Sequence, residues 1–316
     1  MTTNAQVQGA KVHGARCAVH RAPRTLHRAP CTLHVVVLVW LALVTLRALA
    51  EPPQRIVSLV PSVTEMLFAI GAGSRVVGVS SYDEFPPEVT RIQKVGGLFD
   101  PSIERILSLK PDLVVLYQSQ LELKQRLARA AIPYHSYEHQ GLADITTTLR
   151  SVGARIDSSA RADALASDME RAIAAVRMSL AKVTHPRTLL VFEREPSSLR
   201  NIEASGGYGF LHDMVEAAGG TNVFADIKRQ SVTASTEMIL ARRPEIIIEL
   251  RYGASARADI ARQMEAWNSL ASVPAVRNRR VYALIGDQFV VPGPRVVEAI
   301  RQMARTIHPE VEGGRR

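Results

Sequence analysis

The chain has 316 residues, 47% of them hydrophobic and 22% charged, which is ordinary globular composition and enough length for two domains. Its net charge of +9 does not mark a nucleic-acid binder. Six of the 39 Lys and Arg lie in residues 1–50, which hold no acid, leaving 33 bases against 30 acids elsewhere and no basic cluster interleaved with aromatics.

Residues 1–50 read as an export leader. A 12-residue apolar stretch, VVVLVWLALVTL (35–46), follows a basic segment, and Ala48-Leu49-Ala50 supplies the small-x-small pattern of a signal peptidase site, placing the cut before Glu51. Residues 35–50 contain Arg47 and fall short of the roughly 20 apolar residues of a spanning helix. Both cysteines, Cys17 and Cys31, lie in this leader, so the exported part has none and needs no disulfide at its size. Neither cysteine follows the apolar run, where a lipid would be attached. The expectation is a soluble periplasmic protein.

Strands and helices then alternate. Residues 55–60 (RIVSLV) predict a strand stopped by Pro61, and 62–70 a helix with Ser62 as N-cap and Glu65 completing a capping box. Strands follow at 76–79, 113–117 and 134–137, with helices at 101–109 and 121–131. Residues 157–182 contain no Gly or Pro and place Ala160, Ala164, Met169, Ile173, Val176 and Leu180 at helical spacing. They predict one helix of about 26 residues, about 39 Å long. Beyond it come a strand at 188–192, a helix at 210–218, a strand at 281–284 and a helix from Pro294.

One segment occurs twice. Residues 102–116 (SIERILSLKPDLVVL) align without a gap on 235–249 (STEMILARRPEIIIE), each a short helix, a proline stop and a β-branched strand. A single repeat at this separation implies two similar lobes. The predicted fold is α/β: two Rossmann-like lobes with mostly parallel sheets, residues 51–155 and 184–316, joined by one long helix within 156–183. A cleft between such lobes is the natural place for a small ligand. Glu104 and Glu237 fall at matched points, in the first helical turn after candidate N-caps Asp100 and Thr233, where a carboxylate gains about 0.3–1 kcal/mol from the helix dipole.

From Arg55 to about Pro309 the chain resembles the iron-chelate/vitamin B12 periplasmic binding proteins, the ligand-capturing subunits of ABC importers. The resemblance is carried by RIVSLVPSVTEMLFAIGAG (55–73), VVGVSSYDEFPPEV (76–89), the two repeat copies, the connecting helix and ASGGYGFLHDMVEAAGGTNVF (204–224). It is similar above all to the cobalamin-binding branch, through Ser80-Ser81-Tyr82, Pro86-Pro87 and Gly286-Asp287 ahead of Gly293-Pro294-Arg295. The resemblance implies a class III periplasmic binding protein fold and ligand contacts at Tyr82, Leu98, Phe99, Tyr117, Phe192, Ser231, Asp287 and Phe289. It also implies that Glu104 and Glu237 meet basic pockets on an ABC permease homodimer that works with ATPase subunits. The protein would act as a monomer without cofactor, its corrinoid or iron chelate being cargo. Leu98 and Ser231 stand where the cobalamin branch has tryptophans, and Val291 replaces an arginine, which leaves the ligand open. Loop bases that could meet an anionic chelate are few, Arg194, Arg229 and Arg251.

An enzymatic alternative rests on His135-Ser136-Tyr137-Glu138-His139, which spells H-x-x-E-H, a zinc-hydrolase pattern. The pattern needs a helix to bring both histidines to one face. Here it lies between Pro133 and Gly141 with aromatic alternation, and reads as strand and turn.

Overall fold

The computed structural model describes residues 51–253 and 259–313; the leader, with its expected signal peptide and cleavage point, lies outside the described residues. The alternating pattern builds two sheets. The first contains β1 (Ile56–Ser58), β2 (Val76–Val79), β3 (Gln93–Lys94), β4 (Leu113–Tyr117) and β5 (Tyr134–Tyr137). Its order is β3-β2-β1-β4-β5, with every pairing parallel. The second contains β6 (Arg187–Glu193), β7 (Ile202–Ser205), β8 (Thr221–Asn222), β9 (Ser231–Ala234), β10 (Ile246–Arg251) and β11 (Val281–Ile285). It runs β11-β10-β6-β7-β9, with β8 also beside β6. Strand β7 is antiparallel to both neighbours, so this sheet is mixed. The central strands β1, β4 and β10 are buried on both faces, as parallel strands covered by helices are.

The helices are α1 (Pro61–Ala69), α2 (Ile103–Ser108), α3 (Leu121–Arg129), α4 (Leu142–Arg155), α5 (Ser159–Leu180), α6 (Phe210–Ala217), α7 (Thr236–Arg242), α8 (Ile260–Met264), α9 (Pro274–Arg277), α10 (Val296–Ile307) and α11 (Pro309–Gly313). The connecting helix α5 has 22 residues, about 33 Å, and is shorter than expected because Asp157 turns left-handed (φ 56°) and separates it from α4. Helix α4 itself was not anticipated, since the run Thr146-Thr147-Thr148 and Gly153 are poor helix signals. Gly153 is required by packing: a Cβ there would lie 2.2 Å from the Cβ of Ala162 on α5.

One continuous core joins the lobes. It takes Met66 from α1, Leu149 from α4, Met169 from α5, Met214 from α6 and Ile300 from α10, all buried in a single cluster. Smaller cores lie on the outer faces, around Ile106 and Leu116 in the first lobe and Ile239 and Trp267 in the second. Among the described residues, no helix is long and apolar enough to cross a membrane.

The repeat extends into polar detail. The hydroxyls of Ser102 and Ser235 accept from the backbone N–H groups of Arg105 (3.5 Å) and Met238 (3.3 Å), so these serines, and not Asp100 and Thr233, are the N-caps of α2 and α7. Lys110 and Arg243 end the two helices in the same left-handed conformation, φ 47° and 48°, ahead of Pro111 and Pro244. Arg55 donates through Nε (2.9 Å) and Nη2 (2.7 Å) to the carbonyl of Leu109; Arg187 donates likewise, at 3.0 and 2.6 Å, to that of Arg242. The backbone N–H groups of the same arginines donate to Asp112 (2.8 Å) and Glu245 (2.8 Å), which are equivalent in the repeat. Each lobe thus locks its helix end to the start of its central strand by the same three-residue device.

Candidate functional site

In open parallel sheets, ligands bind at the carboxyl ends of the strands, where the strand order reverses. Those edges supply the walls of the cleft here. Pro61 follows β1, Tyr82 follows β2, Tyr117 ends β4, Phe192 lies near the end of β6, Tyr252 follows β10 and Asp287 follows β11. A hollow of about 400 Å³ has walls from both lobes, including Tyr82, Glu84 and Phe85 from the first and Tyr252, Asp287 and Val290 from the second. Tyr252 and Val290 also line a neighbouring hollow of about 350 Å³ with Phe192, Tyr208, Ser231 and His139. His139 in turn borders a third, of about 550 Å³, beside Tyr117 and Tyr137. The three are linked by shared wall residues into an aromatic-rich groove.

An aromatic ladder floors the groove. Tyr117 meets Tyr137 edge-on at 5.9 Å, Tyr137 stacks on His139 at 5.7 Å, and His139 meets Phe210 of the other lobe at 6.1 Å. Burial, and then the charge of Asp83, pushes the Tyr117 hydroxyl up to about 12; burial holds His139 below the usual imidazole range and therefore neutral. The lobes are tied beside the groove, where the Tyr208 hydroxyl donates to Gln140 Oε1 and two further links are formed. Asp213 on α6 accepts from the backbone N–H of Leu142, at 2.9 Å, at the start of α4. Arg295, ahead of α10, forms a two-pronged ion pair with Glu65 on α1, at 3.0 and 2.5 Å.

Glu65 was expected as part of a capping box with Ser62. Helix α1 instead begins at Pro61 with Val60 as N-cap and no side-chain cap, and Glu65 is buried against Arg295. Burial raises its carboxyl above the usual range, with Arg295 pulling the other way. Glu84 is raised by burial first and then by Asp287, which approaches it from the opposite lobe. Buried Asp83, behind the Tyr82 loop, is pushed up to about 6 by burial.

The expected ligand residues divide. Tyr82 (65% exposed), Tyr117, Phe192, Ser231 and Asp287 line the groove. Leu98 and Phe99 line a separate hollow of about 460 Å³ on the first lobe, adjoining the groove through Ser119 and Leu121. Phe289 is a correction: it is fully buried in the central core, because the turn after Gly286 directs its ring inward, and it has no surface for a ligand. Arg194 is likewise withdrawn, buried on Glu249 with Nε to Oε2 at 3.0 Å, while Arg229 is exposed. Phe85, Glu84, Tyr208 and Tyr252 were missed. Tyr252 offered a signal, an aromatic directly following a parallel strand; Phe85, Glu84 and Tyr208 offered none.

Glu104 and Glu237 are both exposed at the first turns of α2 and α7. A hydrogen bond with Ser235 holds the Glu237 carboxyl below the usual range, so it is ionised. The H-x-x-E-H segment is strand β5 and the loop after it, and no group of three metal-capable side chains occurs among the described residues.

Residues 56–287 match the family described as periplasmic binding protein. The chain belongs to that family. It is similar to the vitamin B12-binding protein of Salmonella typhimurium, 30% identical over 267 residues that cover 84% of this chain and 94% of that one. It is also similar to the uncharacterized ABC transporter substrate-binding lipoprotein YvrC of Bacillus subtilis, 28% identical over 265 residues and 82% of each chain. Among solved structures, the periplasmic heme-binding protein RhuT from Roseiflexus sp. RS-1, in apo form, aligns with a TM-score of 0.68 and 27% identity, over 82% of this chain and 99% of that one. Family and fold together make this chain a binding protein, not an enzyme, and overturn the hydrolase alternative.

Proposed function

We propose that this chain is the substrate-binding subunit of an ABC importer, taking a corrinoid or iron chelate between its lobes and delivering it to a permease homodimer with its ATPase subunits. The observation that carries the reading is the aromatic groove at the carboxyl edges of the two sheets. Flat rings suit a large macrocycle with polar groups at its rim. The charges favour a corrinoid within that class. Glu65, Glu84 and Asp287 line one hollow, and the one cation lining it among the described residues, Arg295, is already held by Glu65. A rim of amide donors suits such a wall better than the carboxylates of haem or an anionic siderophore, which call for converging bases.

Docking would use Glu104 and Glu237. Only a short turn separates α2 from β4 and α7 from β10, so each helix runs antiparallel to its strand and its amino end lies at the cleft edge. One exposed acid per lobe answers the two equivalent basic sites of a two-fold permease, an arrangement that sets orientation and on-rate. Export, a cleaved signal and a monomeric state complete the proposal, with lobes 51–155 and 184–316 joined by the helix within 156–183. The test has two arms. Absorbance titrations with cyanocobalamin, haemin and a ferric siderophore should give a tight one-to-one complex with the corrinoid. Glu104→Ala with Glu237→Ala should leave that complex intact and abolish uptake in cells; undiminished uptake refutes the docking role.

A further inference from the structure

We propose that Arg295 is a positioning residue that holds the Phe85 ring as a stacking wall of the ligand groove, braced across the lobes by Glu65. The ligand part rests on the transport reading above; the positioning part does not. Phe85 sits in the irregular stretch between β2 and β3, outside any helix or strand that would fix its ring. It is 40% exposed, yet it lines the hollow that both lobes share. What covers it is the Arg295 guanidinium, 4.2 Å from the ring centroid. The same guanidinium points two N–H groups at Glu65, whose side chain is 4% exposed.

The geometry uses both aspects of a planar cation. Its edge carries the donors that match a carboxylate, and its face is free to lie on an aromatic ring. A lysine could keep the charge pair with Glu65 but offers no flat face. The path of contacts runs from the first lobe (Glu65) to the second (Arg295) and back to the first (Phe85). Gly293 allows the close approach this needs, since a Cβ there would lie 2.9 Å from Oε2 of Glu65. The side of Phe85 away from Arg295 is left for the flat, conjugated face of a ligand. A motion that carries Arg295 away with the second lobe releases the carboxylate and the ring together, since Glu65 and Phe85 both belong to the first.

The experiment uses the full chain with 4-fluorophenylalanine at position 85, read by fluorine NMR, together with absorbance titrations of cyanocobalamin and haemin. Arg295→Lys is expected to shift the fluorine resonance and to weaken the bound probe roughly 3- to 10-fold, the range of a partly desolvated cation–π contact. Phe85→Leu should lose a similar factor, the double variant no more than either alone, and Phe85→Tyr should retain binding. Should Arg295→Lys fold poorly, Glu65→Gln serves as the second variant, shifting the same resonance through the released guanidinium. An unmoved fluorine signal, or losses that multiply in the double variant, would overturn the assignment. Wild-type protein that binds neither these probes nor a ferric siderophore would defeat the transport reading, and the fluorine shift alone would then decide the role of Arg295.

Discussion

Position 116 of the first lobe and position 249 of the second occupy the same step of the repeated segment, yet one is leucine and the other glutamate. Leu116 is fully buried among Ile106, Leu123 and Leu127. Glu249 is 2% exposed and accepts from Arg194 Nε and Trp267 Nε1, both at 3.0 Å, with Arg251 at 2.5 Å. At the opposite ends of the same strands the lobes are alike, down to the arginine, the carboxylate and the left-handed residue that close each helix. Helix ends have fixed geometry and unpaired carbonyls, so one solution serves both copies. A core position demands only that volume and charge balance locally, so apolar packing and a buried ion network can occupy the same step there.

That interchange can be broken from the charged side. Glu249→Leu makes the second lobe imitate the first but strands Arg194, whose side chain is completely buried. The expected cost is about 3–5 kcal/mol in urea unfolding, the range for removing one member of a buried pair. Arg194→Met with Glu249→Leu should recover most of it. A single substitution costing under about 1 kcal/mol would mean that the network is not what holds this core together.

The first lobe also buries an acid, Asp83, but gives it no arginine. Burial raises its carboxyl from 3.8 to about 6. Between those values the folded chain holds a proton that the unfolded chain has released, so stability is full below about pH 4 and falls as pH rises through about 6. Asp83→Asn removes the penalty. It should stabilise the protein by up to about 3 kcal/mol at pH 8 and by almost nothing at pH 4. Unfolding curves of the two proteins that stay parallel across this range would show that Asp83 is not strained by burial.

Local patterns were legible in the sequence, and long-range pairings were not. The repeat, the central strands and the rod between the lobes follow from periodicity, while Tyr82, Tyr117 and Phe192 come from the family resemblance and stand at or just beyond strand ends. Glu65 looked like a capping residue because Ser62 lies three residues before it, whereas its partner is 230 residues away at Arg295. Phe289 looked like a cleft residue until the turn at Gly286 buried it. Strand β7 has four residues, IEAS, too few for alternation to reveal that the chain reverses there. Phe85 carried no pattern of its own; only the guanidinium over its ring marks it.

The smallest expected effect tests the likeness of the lobes most directly. Arg55 and Arg187 are exposed, and each holds the last turn of one repeated helix to the strand that begins beside it. Replacing either by glutamine removes charge-assisted bonds to a carbonyl in partly solvated surroundings, worth about 1 kcal/mol. Because the two shortest side-chain bonds match, and Arg55 adds only a longer bond from Nε to the carbonyl of Lys110 at 3.2 Å, Arg55→Gln and Arg187→Gln should cost nearly the same, the first at most slightly more, and their effects should add, the sites sharing no partner. Hydrogen exchange should then rise locally, in 103–108 for the first variant and in 236–242 for the second. A large inequality between the two would mean that one lobe relies on this tie while the other has other means of closing its helix, and that the duplication survives in form more than in energetics.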